Sequence, residues 1–543
     1  MEIVNLPNGT EAVIAEYKEQ LIKDYEGNPF IECLPSIMSP KQVIEQLAYY
    51  PAFDPNERLL EPYMRVHLLQ RLFQYFQPTH EHIRLEQAIS TMLRNGYVDR
   101  NPLSPSYVRR RLGEWGERRA GQNGFALQNS SSKSLTLIGI SGSGKTSSLS
   151  RILALTPQII VHSKYRGIDL SRYQISHLRI EAPYDGSLKA LCLQFFMTID
   201  ALLGTNYMEK YGNGHKSTNI MIPIISKLLQ NVAIGLLVID EIQHLSLAKS
   251  GGSAAVLNFF TTLINTANIP IVLVGTPKSL NVLQSEFRQA RRNFSGHGNF
   301  FWDRLQKDAS FDLFLSGLWK YQWLQKPVEL TDEISSILYD ETQGIPDIVV
   351  KLFMMIQVRA ISTGKETITG ALIRKVASEQ LKLIQSMLEA LRNGRTSQLL
   401  DYQDIVMPDV TEFMNKEQSQ IQVQTFIKET QKRSESRQQQ ISHLREDAVI
   451  RLQLLGVKEK EAVGLVQAVL AHRSSIADLN ELVQAAYQLS IDKGKEKLEE
   501  KEIPKDVEGD LRVIVKVGAK EDLSAYEALK RAGMIRNDFE CTG

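Results

Sequence analysis

The chain has 543 residues, 43% of them apolar and 23% charged, and its formal net charge is +1. This ordinary composition excludes a globally disordered chain, a collagen-like chain and a disulfide scaffold, and the length predicts about three or four domains. No apolar run is long enough to span a membrane, and the near-neutral charge means that any nucleic-acid-binding surface must be local.

The N-terminus and the cysteines bear on where the protein works. The first residues lack the basic and apolar segments of a secretory signal. Cys33, Cys192 and Cys541 lie far apart in the sequence, and their odd number and spacing favour reduced thiols over a zinc site. We therefore expect a cytoplasmic protein.

Residues 1–133 give coarse signals. Residues 1–80 are mixed in character, with aromatic and proline-rich stretches. The pattern then predicts a helix over 82–95, ended by a turn at Gly96 and Tyr97. A basic stretch runs from Arg109 to Arg119, and a loop rich in Gly, Asn and Ser follows it.

From residue 134 onward, apolar strands alternate with helices. The predicted strands are 135–138, 158–161, 178–180, 235–240 and 269–274. The predicted helices among them are 146–154, 188–203 and 254–265. Such alternation is typical of a parallel sheet with helices on both faces. Residues 329–394 are helical in pattern, which predicts a helical lid after the sheet.

The C-terminal region is polar, glutamine-rich and highly charged. The pattern predicts a solvated helix or linker over 415–445, a small helical bundle over 447–489, and a linker or exposed helix over 492–506. Apolar β-branched residues predict a short strand at 513–515. A short helix is predicted near 526–531.

A glycine-rich segment between a predicted strand and a predicted helix matches the pattern GxxxxGK[ST] in full. Glycines let successive backbone N–H groups approach phosphate oxygens, and the following helix adds the positive partial charge of its N-terminus. We expect Lys145 to reach the β- and γ-phosphates and Thr146 to bind Mg²⁺. The predicted phosphate-binding residues are Gly139, Ser141, Gly142, Ser143, Gly144, Lys145, Thr146 and Ser147.

Two neighbouring strand ends supply the remaining predicted catalytic groups. Asp240 and Glu241 end a strand of apolar residues. Asp240 is expected to hold Mg²⁺, directly or through water, and Glu241 to orient and deprotonate the attacking water. Thr276 ends the next strand, where it is predicted to sense the γ-phosphate or to place the water. The glycine-rich segment and the Asp240-Glu241 strand end occur together. We therefore favour a nucleotide site over the alternative of a plain loop and an ordinary strand end.

Three arginines follow that strand by about the length of a helix: Arg288, Arg291 and Arg292. One of them is predicted to complete the site of a neighbouring subunit as an arginine finger, an interaction worth about 10³ to 10⁵ in rate. Arg291 and Arg292 are preferred over Arg288, and which of the two serves stays open. The alternative is a solvated basic helix end.

This set of motifs, in this order, resembles the TnsC/TniB family of AAA+ regulators of DNA transposition, and more closely its long TnsC branch. The resemblance spans about residues 28–394. It rests on the glycine-rich segment, on Leu237-Val238-Ile239-Asp240-Glu241-Ile242-Gln243-His244-Leu245, on Val274-Gly275-Thr276-Pro277-Lys278, and on shorter phrases. Among these are Asn28-Pro29-Phe30-Ile31-Glu32, Asp185-Gly186-Ser187-Leu188-Lys189, Phe301-Trp302-Asp303 and Asp347-Ile348-Val349-Val350-Lys351.

The resemblance implies an α/β fold in which a P-loop AAA+ parallel sheet is sandwiched between helices and followed by a helical lid. It implies ATP and Mg²⁺ as ligands, and a homo-oligomer that forms rings or filaments on double-stranded DNA. It also implies hydrolysis that disassembles the polymer. The expected domains are an N-terminal partner-binding extension (1–80), the nucleotide-binding domain (81–325), the lid (326–400) and a mostly helical C-terminal partner-binding extension (401–543).

The same resemblance implies specific partners. They are a target-selection protein of the TniQ/TnsD class, a TnsB-like transposase and a TnsA-like nuclease subunit. Selection by an attachment-site binder and by an RNA-guided complex both stay open. So do the ring size, the filament geometry and the terminus that binds each partner.

Departures and alternatives also follow from the sequence. The lid segment around Asp347 has no arginine to act as a second sensor, and Lys351 is the nearest cation. Contacts with DNA phosphates are predicted at Lys164, Arg166 and Lys189, with the basic stretch near Arg109 as an alternative patch.

Two other functions compete with transposition. One is another DNA-associated AAA+ ATPase, such as a replication initiator or helicase loader. Such a protein usually carries a winged-helix domain, and residues 401–543 give no sign of one. The other is a non-hydrolysing, nucleotide-gated scaffold, which would not need the carboxylate of Glu241.

Overall fold

The computed structural model describes residues 2–105, 107–109, 134–212, 217–247, 252–279, 299–394, 408–472, 478–499, 511–520 and 523–534. These form two compact units, Met1–Val423 and Gln424–Gly543. None of the helices in these ranges is long and apolar enough to cross a membrane.

The described strands all lie in the first unit. They are β1 (Ile3–Asn5), β2 (Glu11–Ile14), β3 (Ser134–Ile138), β4 (Ile159–Tyr165), β5 (Ile168–Ile175), β6 (His177–Glu181), β7 (Leu236–Asp240), β8 (Ile271–Gly275) and β9 (Asn299–Phe301).

The helices up to the lid are α1 (Pro29–Glu32), α2 (Pro40–Leu47), α3 (Pro62–Leu68), α4 (His80–Val98), α5 (Lys145–Leu153), α6 (Leu188–Leu203), α7 (Thr218–Asn231) and α8 (Gly252–Ala267). The helices between β9 and residue 394 are α9 (Ala309–Trp319), which precedes the predicted lid, and then α10 (Asp332–Thr342), α11 (Pro346–Ser362), α12 (Gly370–Gln380) and α13 (Gln385–Arg392). The later helices are α14 (Val410–Leu454), α15 (Glu459–His472), α16 (Leu479–Glu499), α17 (Leu511–Lys520) and α18 (Ala525–Arg531).

The main sheet has five parallel strands in the order β6-β7-β8-β3-β9. Every residue of β3, β7 and β8 is buried, as expected when helices cover both faces. On β7, Leu237 and Ile239 join a core with α6, α7 and α8, whereas Leu236 and Val238 join a core with α4 and α5. The predicted α/β sandwich is confirmed.

A second, four-stranded sheet has the order β1-β2-β4-β5. The strand predicted at 158–161 exists as β4, but it pairs with β2 and β5 instead of joining the parallel sheet. The expectation of one sheet was wrong here because β5 returns antiparallel through a tight turn. Arg166 and Gly167 form that turn with φ of 48° and 83°, the left-handed pair that suits a two-residue hairpin.

The lid core includes residues that lie far upstream of it in sequence. Val66, Leu69 and Tyr75 belong to the same buried cluster as the lid helices. The buried guanidinium of Arg65 bonds both carboxylate oxygens of Glu366 at 2.7 Å each. Residues 62–75 are therefore an integral layer of the lid, while β1 and β2 extend the second sheet. The predicted domain boundaries at residues 80, 325 and 400 stay a prediction.

Helix α4 continues through the turn that the sequence predicts at Gly96 and Tyr97. Gly96 lies inside the helix, where an added Cβ would lie 2.5 Å from Cγ of Pro270. Glycine is thus required for close packing and does not mark a helix end, so the predicted turn was wrong.

The second unit, as far as the structure describes it, is helical. Buried residues of α14, α15 and α16 form one cluster, which matches the small bundle predicted over 447–489. The strand predicted at 513–515 was wrong, because these residues lie in α17. An added Cβ on Gly518 would lie 2.3 Å from Cβ of Ala528, so α17 and α18 pack closely at that glycine. Tertiary packing overrides the β-propensity of the apolar residues here.

Candidate active site

The glycine-rich segment connects β3 to α5, at the carboxyl edge of the parallel sheet. Gly142 and Gly144 have φ of 77° and 92°, a left-handed conformation that glycine adopts without a steric penalty. The Nζ of Lys145 donates to the carbonyls of Gly139 (2.7 Å) and Ile140 (2.8 Å). The lysine is therefore buried within the loop whose backbone N–H groups would meet the phosphates.

Trp302 is hydrogen-bonded to this loop. Its indole Nε1 donates to the carbonyl of Ser143 at 2.9 Å, and its backbone N–H donates to Ile138 at 2.7 Å. A Cβ added to Gly139 would lie 2.1 Å from the carbonyl oxygen of Trp302. Gly139 is thus fixed by the close approach of a chain 163 positions away.

The predicted metal ligands lie together at the ends of β7 and of the loop. The hydroxyl of Thr146 lies 3.3 Å from Oδ2 of Asp240, so it can donate to that carboxylate. A hydroxyl and a carboxylate oxygen are the ligand types that Mg²⁺ takes alongside phosphate and water. The donor set therefore fits the ion that the sequence implies.

The carboxylate of Asp240 is almost fully buried and has other partners. Its Oδ1 accepts the backbone N–H of Glu241 at 2.9 Å, and its Oδ2 accepts from the guanidinium of Arg179 at 2.6 Å. The other guanidinium nitrogen of Arg179 donates to Oγ of Ser150 at 2.9 Å. Arg179 lies on β6, the strand beside β7, and sequence reasoning did not find it.

Glu241 occupies a strained backbone position. Its φ of 56° is unusual for a residue other than glycine, and such conformations cluster at functional sites. The side-chain amide of Gln243 donates to the Glu241 carboxylate, and the amide oxygen of Gln243 accepts the backbone N–H of Thr276 at 3.2 Å. Gln243 thus joins two predicted catalytic residues that directly follow different strands, β7 and β8.

These groups face one cavity of about 200 Å³. Its lining brings both predicted metal ligands, Glu241 and Thr276 together with most of the predicted phosphate-binding residues, whereas Gly139 and Ser143 do not line it. The lining residues are Ser141, Gly142, Gly144, Lys145, Thr146, Ser147, Asp240, Glu241, Gly275, Thr276 and Asp347.

A second cavity, of about 730 Å³, adjoins the first and shares part of the glycine loop. Aromatic and apolar side chains from residues 72–82, from the segment after β9 and from the lid line it, as suits the base and sugar of a nucleotide. His82 contributes to the wall, packs edge-on against Trp302 and accepts the backbone N–H of Thr79 at Nδ1. Burial lowers the pKa of His82 to about 4, so the ring is neutral and Nε2–H faces Oγ of Ser148 at 3.0 Å.

The lid reaches the loop through the first turn of α11. The backbone N–H of Asp347 donates to the carbonyl of Gly142 at 3.3 Å, and Asp347 lines both cavities. Lys351, the nearest cation in this helix, pairs with the Asp347 carboxylate at 2.8 Å. The lid therefore presents a lysine-neutralised carboxylate at the position where the resemblance expects an arginine.

The remaining predicted residues lie elsewhere. Arg291 and Arg292 are outside the described residues, as are Arg288 and most of the basic stretch from Arg109 to Arg119. Lys164 and Lys189 are exposed, on β4 and in the first turn of α6. Arg166 lies at the β4–β5 turn and pairs with Glu32 at 3.0 Å.

Sequence reasoning missed Arg179, Gln243, His82 and the supporting role of Trp302. Gln243 lies two positions after Glu241 in the motif, and that position was the available signal for it. The other three have no local pattern, since each acts through a contact between distant segments.

Comparison with known proteins supports the nucleotide-binding fold. Residues 128–283 match the sequence family described as an AAA domain. When the five parallel strands are numbered along the chain, their order across the sheet is 2-3-4-1-5. The glycine-rich segment follows strand 1 of this numbering. The first unit thus contains a P-loop AAA+ domain. No curated protein sequence matches the chain.

Three solved structures are similar to parts of the chain. A Walker-type ATPase of Pyrococcus abyssi is 17% identical, with 49% of this chain and 72% of that chain covered and a TM-score of 0.31. Drosophila ORC bound to DNA is 9% identical, with 74% and 84% covered and a TM-score of 0.31. Cdc6p from Pyrobaculum aerophilum is 16% identical, with 59% and 97% covered and a TM-score of 0.25. The fold assignment rests on the strand order and the family match.

Proposed function

We propose that the protein binds ATP and hydrolyses it. The observation that carries this proposal is the single cavity that brings Lys145, Thr146, Asp240, Glu241 and Thr276 together at the carboxyl edge of the parallel sheet. Phosphoryl transfer needs positioning and charge stabilisation more than covalent chemistry, and these residues supply both.

Each side chain has a distinct task in this proposal. Lys145 and the N–H groups of the loop bind the β- and γ-phosphates, and Thr146 and Asp240 hold Mg²⁺. When bound, Mg²⁺ neutralises charge that develops on the phosphate oxygens. Glu241 accepts the proton of the attacking water, and Thr276 orients that water. The Gln243 amide keeps the Glu241 carboxylate beside the Thr276 strand end.

Binding and hydrolysis are tested separately. Lys145→Ala should abolish binding of a fluorescent ATP analogue. Glu241→Gln should leave the affinity for the analogue within about threefold of the wild type. It should lower the rate of phosphate release about 10²- to 10⁴-fold, the usual contribution of a general base. The matched control is Glu45→Gln, whose exposed side chain lies on α2, and which should change neither. Unchanged phosphate release by Glu241→Gln would contradict the assignment of Glu241.

We further propose that the ATPase regulates DNA transposition. In this proposal it oligomerises on double-stranded DNA, links a TniQ/TnsD-class protein to a TnsB-like transposase and a TnsA-like nuclease, and is reset by hydrolysis. The ordered motif set over about residues 28–394 supports this function. Exposed Lys164 and Lys189 are candidates for sequence-neutral phosphate contacts, and Arg291 or Arg292 for a finger supplied to a neighbouring subunit.

A replication initiator or helicase loader is the alternative. A winged helix requires a β-hairpin wing, and the described residues of Gln424–Gly543 contain helices without a strand. This observation favours the regulator.

Electron microscopy with duplex DNA tests the proposal. Rings or filaments should form with ATP and with a non-hydrolysable analogue but not without nucleotide, and Glu241→Gln should make them persist in ATP. Discrete monomers that do not bind DNA in any of the three conditions would refute the proposed assembly on DNA. Recruitment of a TnsB-like transposase to these assemblies would separate the regulator from an initiator.

A further inference from the structure

Arg179 makes two directed contacts in the site. One guanidinium nitrogen donates to Oδ2 of Asp240 at 2.6 Å, and the other donates to Oγ of Ser150 on α5 at 2.9 Å. Register places Arg179 opposite Val238, two positions before Asp240, so the long side chain reaches along the sheet edge to the carboxylate. About a third of the Arg179 side chain is exposed, whereas Asp240 is 2% exposed.

The same oxygen of Asp240 faces Thr146, the other predicted metal ligand. Oδ2 is the carboxylate atom that lies 3.3 Å from the Thr146 hydroxyl, whereas Oδ1 is used by the backbone of Glu241. A carboxylate oxygen offers about two lone-pair positions. Arg179 and Thr146 therefore already fill the positions on Oδ2, and the guanidinium also neutralises the charge that would attract a cation.

We propose that Arg179 competes with Mg²⁺ for Asp240 and so sets the Mg²⁺ concentration at which the site binds nucleotide tightly. When Mg²⁺ or its water takes Oδ2, the guanidinium gives up that contact and keeps its bond to Ser150. The Arg179 side chain thereby changes partners with the metal state of the site. Because about a third of the Arg179 side chain is exposed, this change of partner alters the protein surface beside β6.

The test measures metal dependence of binding without hydrolysis. A fluorescent, non-hydrolysable ATP analogue is held at fixed concentration while free Mg²⁺ is varied, for the full-length wild type and for Arg179→Gln. Removing the ion pair should lower the half-saturating Mg²⁺ concentration about fivefold, the size expected for a partly exposed pair. Arg392→Gln removes a lid ion pair with Asp340 (3.0 Å) and is the matched control, for which no shift is expected.

A second variant covers the case in which Arg179→Gln does not fold. Arg179→Lys keeps a positive charge but has no guanidinium fork to bond Asp240 and Ser150 together, so it should lower the half-saturating Mg²⁺ about twofold. Thermal unfolding gives a second readout. Arg179→Gln leaves a buried carboxylate without its guanidinium, so added Mg²⁺ should raise its midpoint more than that of the wild type.

This inference rests on the proposed nucleotide-binding function, and the binding of the analogue by the wild type distinguishes a failure of that function from a failure of the inference. A wild type that binds no analogue at any Mg²⁺ concentration would overturn the proposed function and the inference together. A wild type that binds, with an unchanged or higher Mg²⁺ requirement in both variants, would overturn the role of Arg179 alone.

Discussion

The bridge from Gln243 to Glu241 and Thr276 gives a sharp prediction about hydrolysis. Gln243→Ala removes the donor to the Glu241 carboxylate and the acceptor for the Thr276 backbone N–H. Gln243 does not line the phosphate cavity, so nucleotide affinity should stay within about threefold. We expect kcat for ATP hydrolysis to fall while KM stays nearly constant.

The magnitude follows from the lost hydrogen bond. Hydrogen bonds to charged groups contribute about 1.5–3 kcal/mol. If that energy holds Glu241 in its transition-state position, kcat falls about 10- to 150-fold. Gln243→Glu should be worse, because it keeps an oxygen for Thr276 but places a second negative charge against Glu241.

The assay is steady-state phosphate release, with analogue binding measured in parallel. Gln357→Ala is the matched control, because Gln357 is also buried and also accepts a backbone N–H, that of Trp323 in the lid, at 2.9 Å. It should lower thermal stability without changing kcat of the folded protein. Equal kcat in Gln243→Ala, Gln357→Ala and the wild type would refute the positioning of Glu241 by Gln243.

Three further predictions concern stability. Arg65→Met leaves Glu366 buried without its bidentate partner, and thermal or denaturant unfolding should show a loss of about 3–5 kcal/mol; a loss below 1 kcal/mol would contradict it. Because burial lowers the pKa of His82 from 6.5 to about 4, the unfolded chain binds protons more readily below pH 6.5. The stability that neutral His82 contributes is therefore present above pH 6.5 and lost as pH falls toward 4. That loss is up to about 3 kcal/mol, and the unfolding free energy of His82→Gln should depend less on pH. Gly139→Ala forces a Cβ against the Trp302 carbonyl, so both thermal midpoint and analogue affinity should fall, and near-wild-type binding would contradict the packing.

Local chemistry explains what the sequence determined about this site. Glycines at fixed spacing before a lysine and a hydroxyl residue have few uses other than a phosphate loop, and apolar runs that end in Asp240 and Glu241 place carboxylates at a strand end. The helical periodicity and the apolar runs in the sequence also predicted the sandwich and its lid, because strands that are buried on both faces are continuously apolar. These signals lie within short windows, so they can be read without knowing any long-range contact.

Tertiary structure decided which segments meet. The strand at 159–165 joins another sheet, since an apolar run indicates burial but does not identify the partner strand. Residues 62–75 enter the lid core through a pair, Arg65 and Glu366, separated by 301 positions. Arg179 reaches Asp240 only because register sets β6 beside β7. Ion pairs and close glycine contacts of this kind depend on angstrom-scale approach between distant segments, and a local pattern cannot encode that approach.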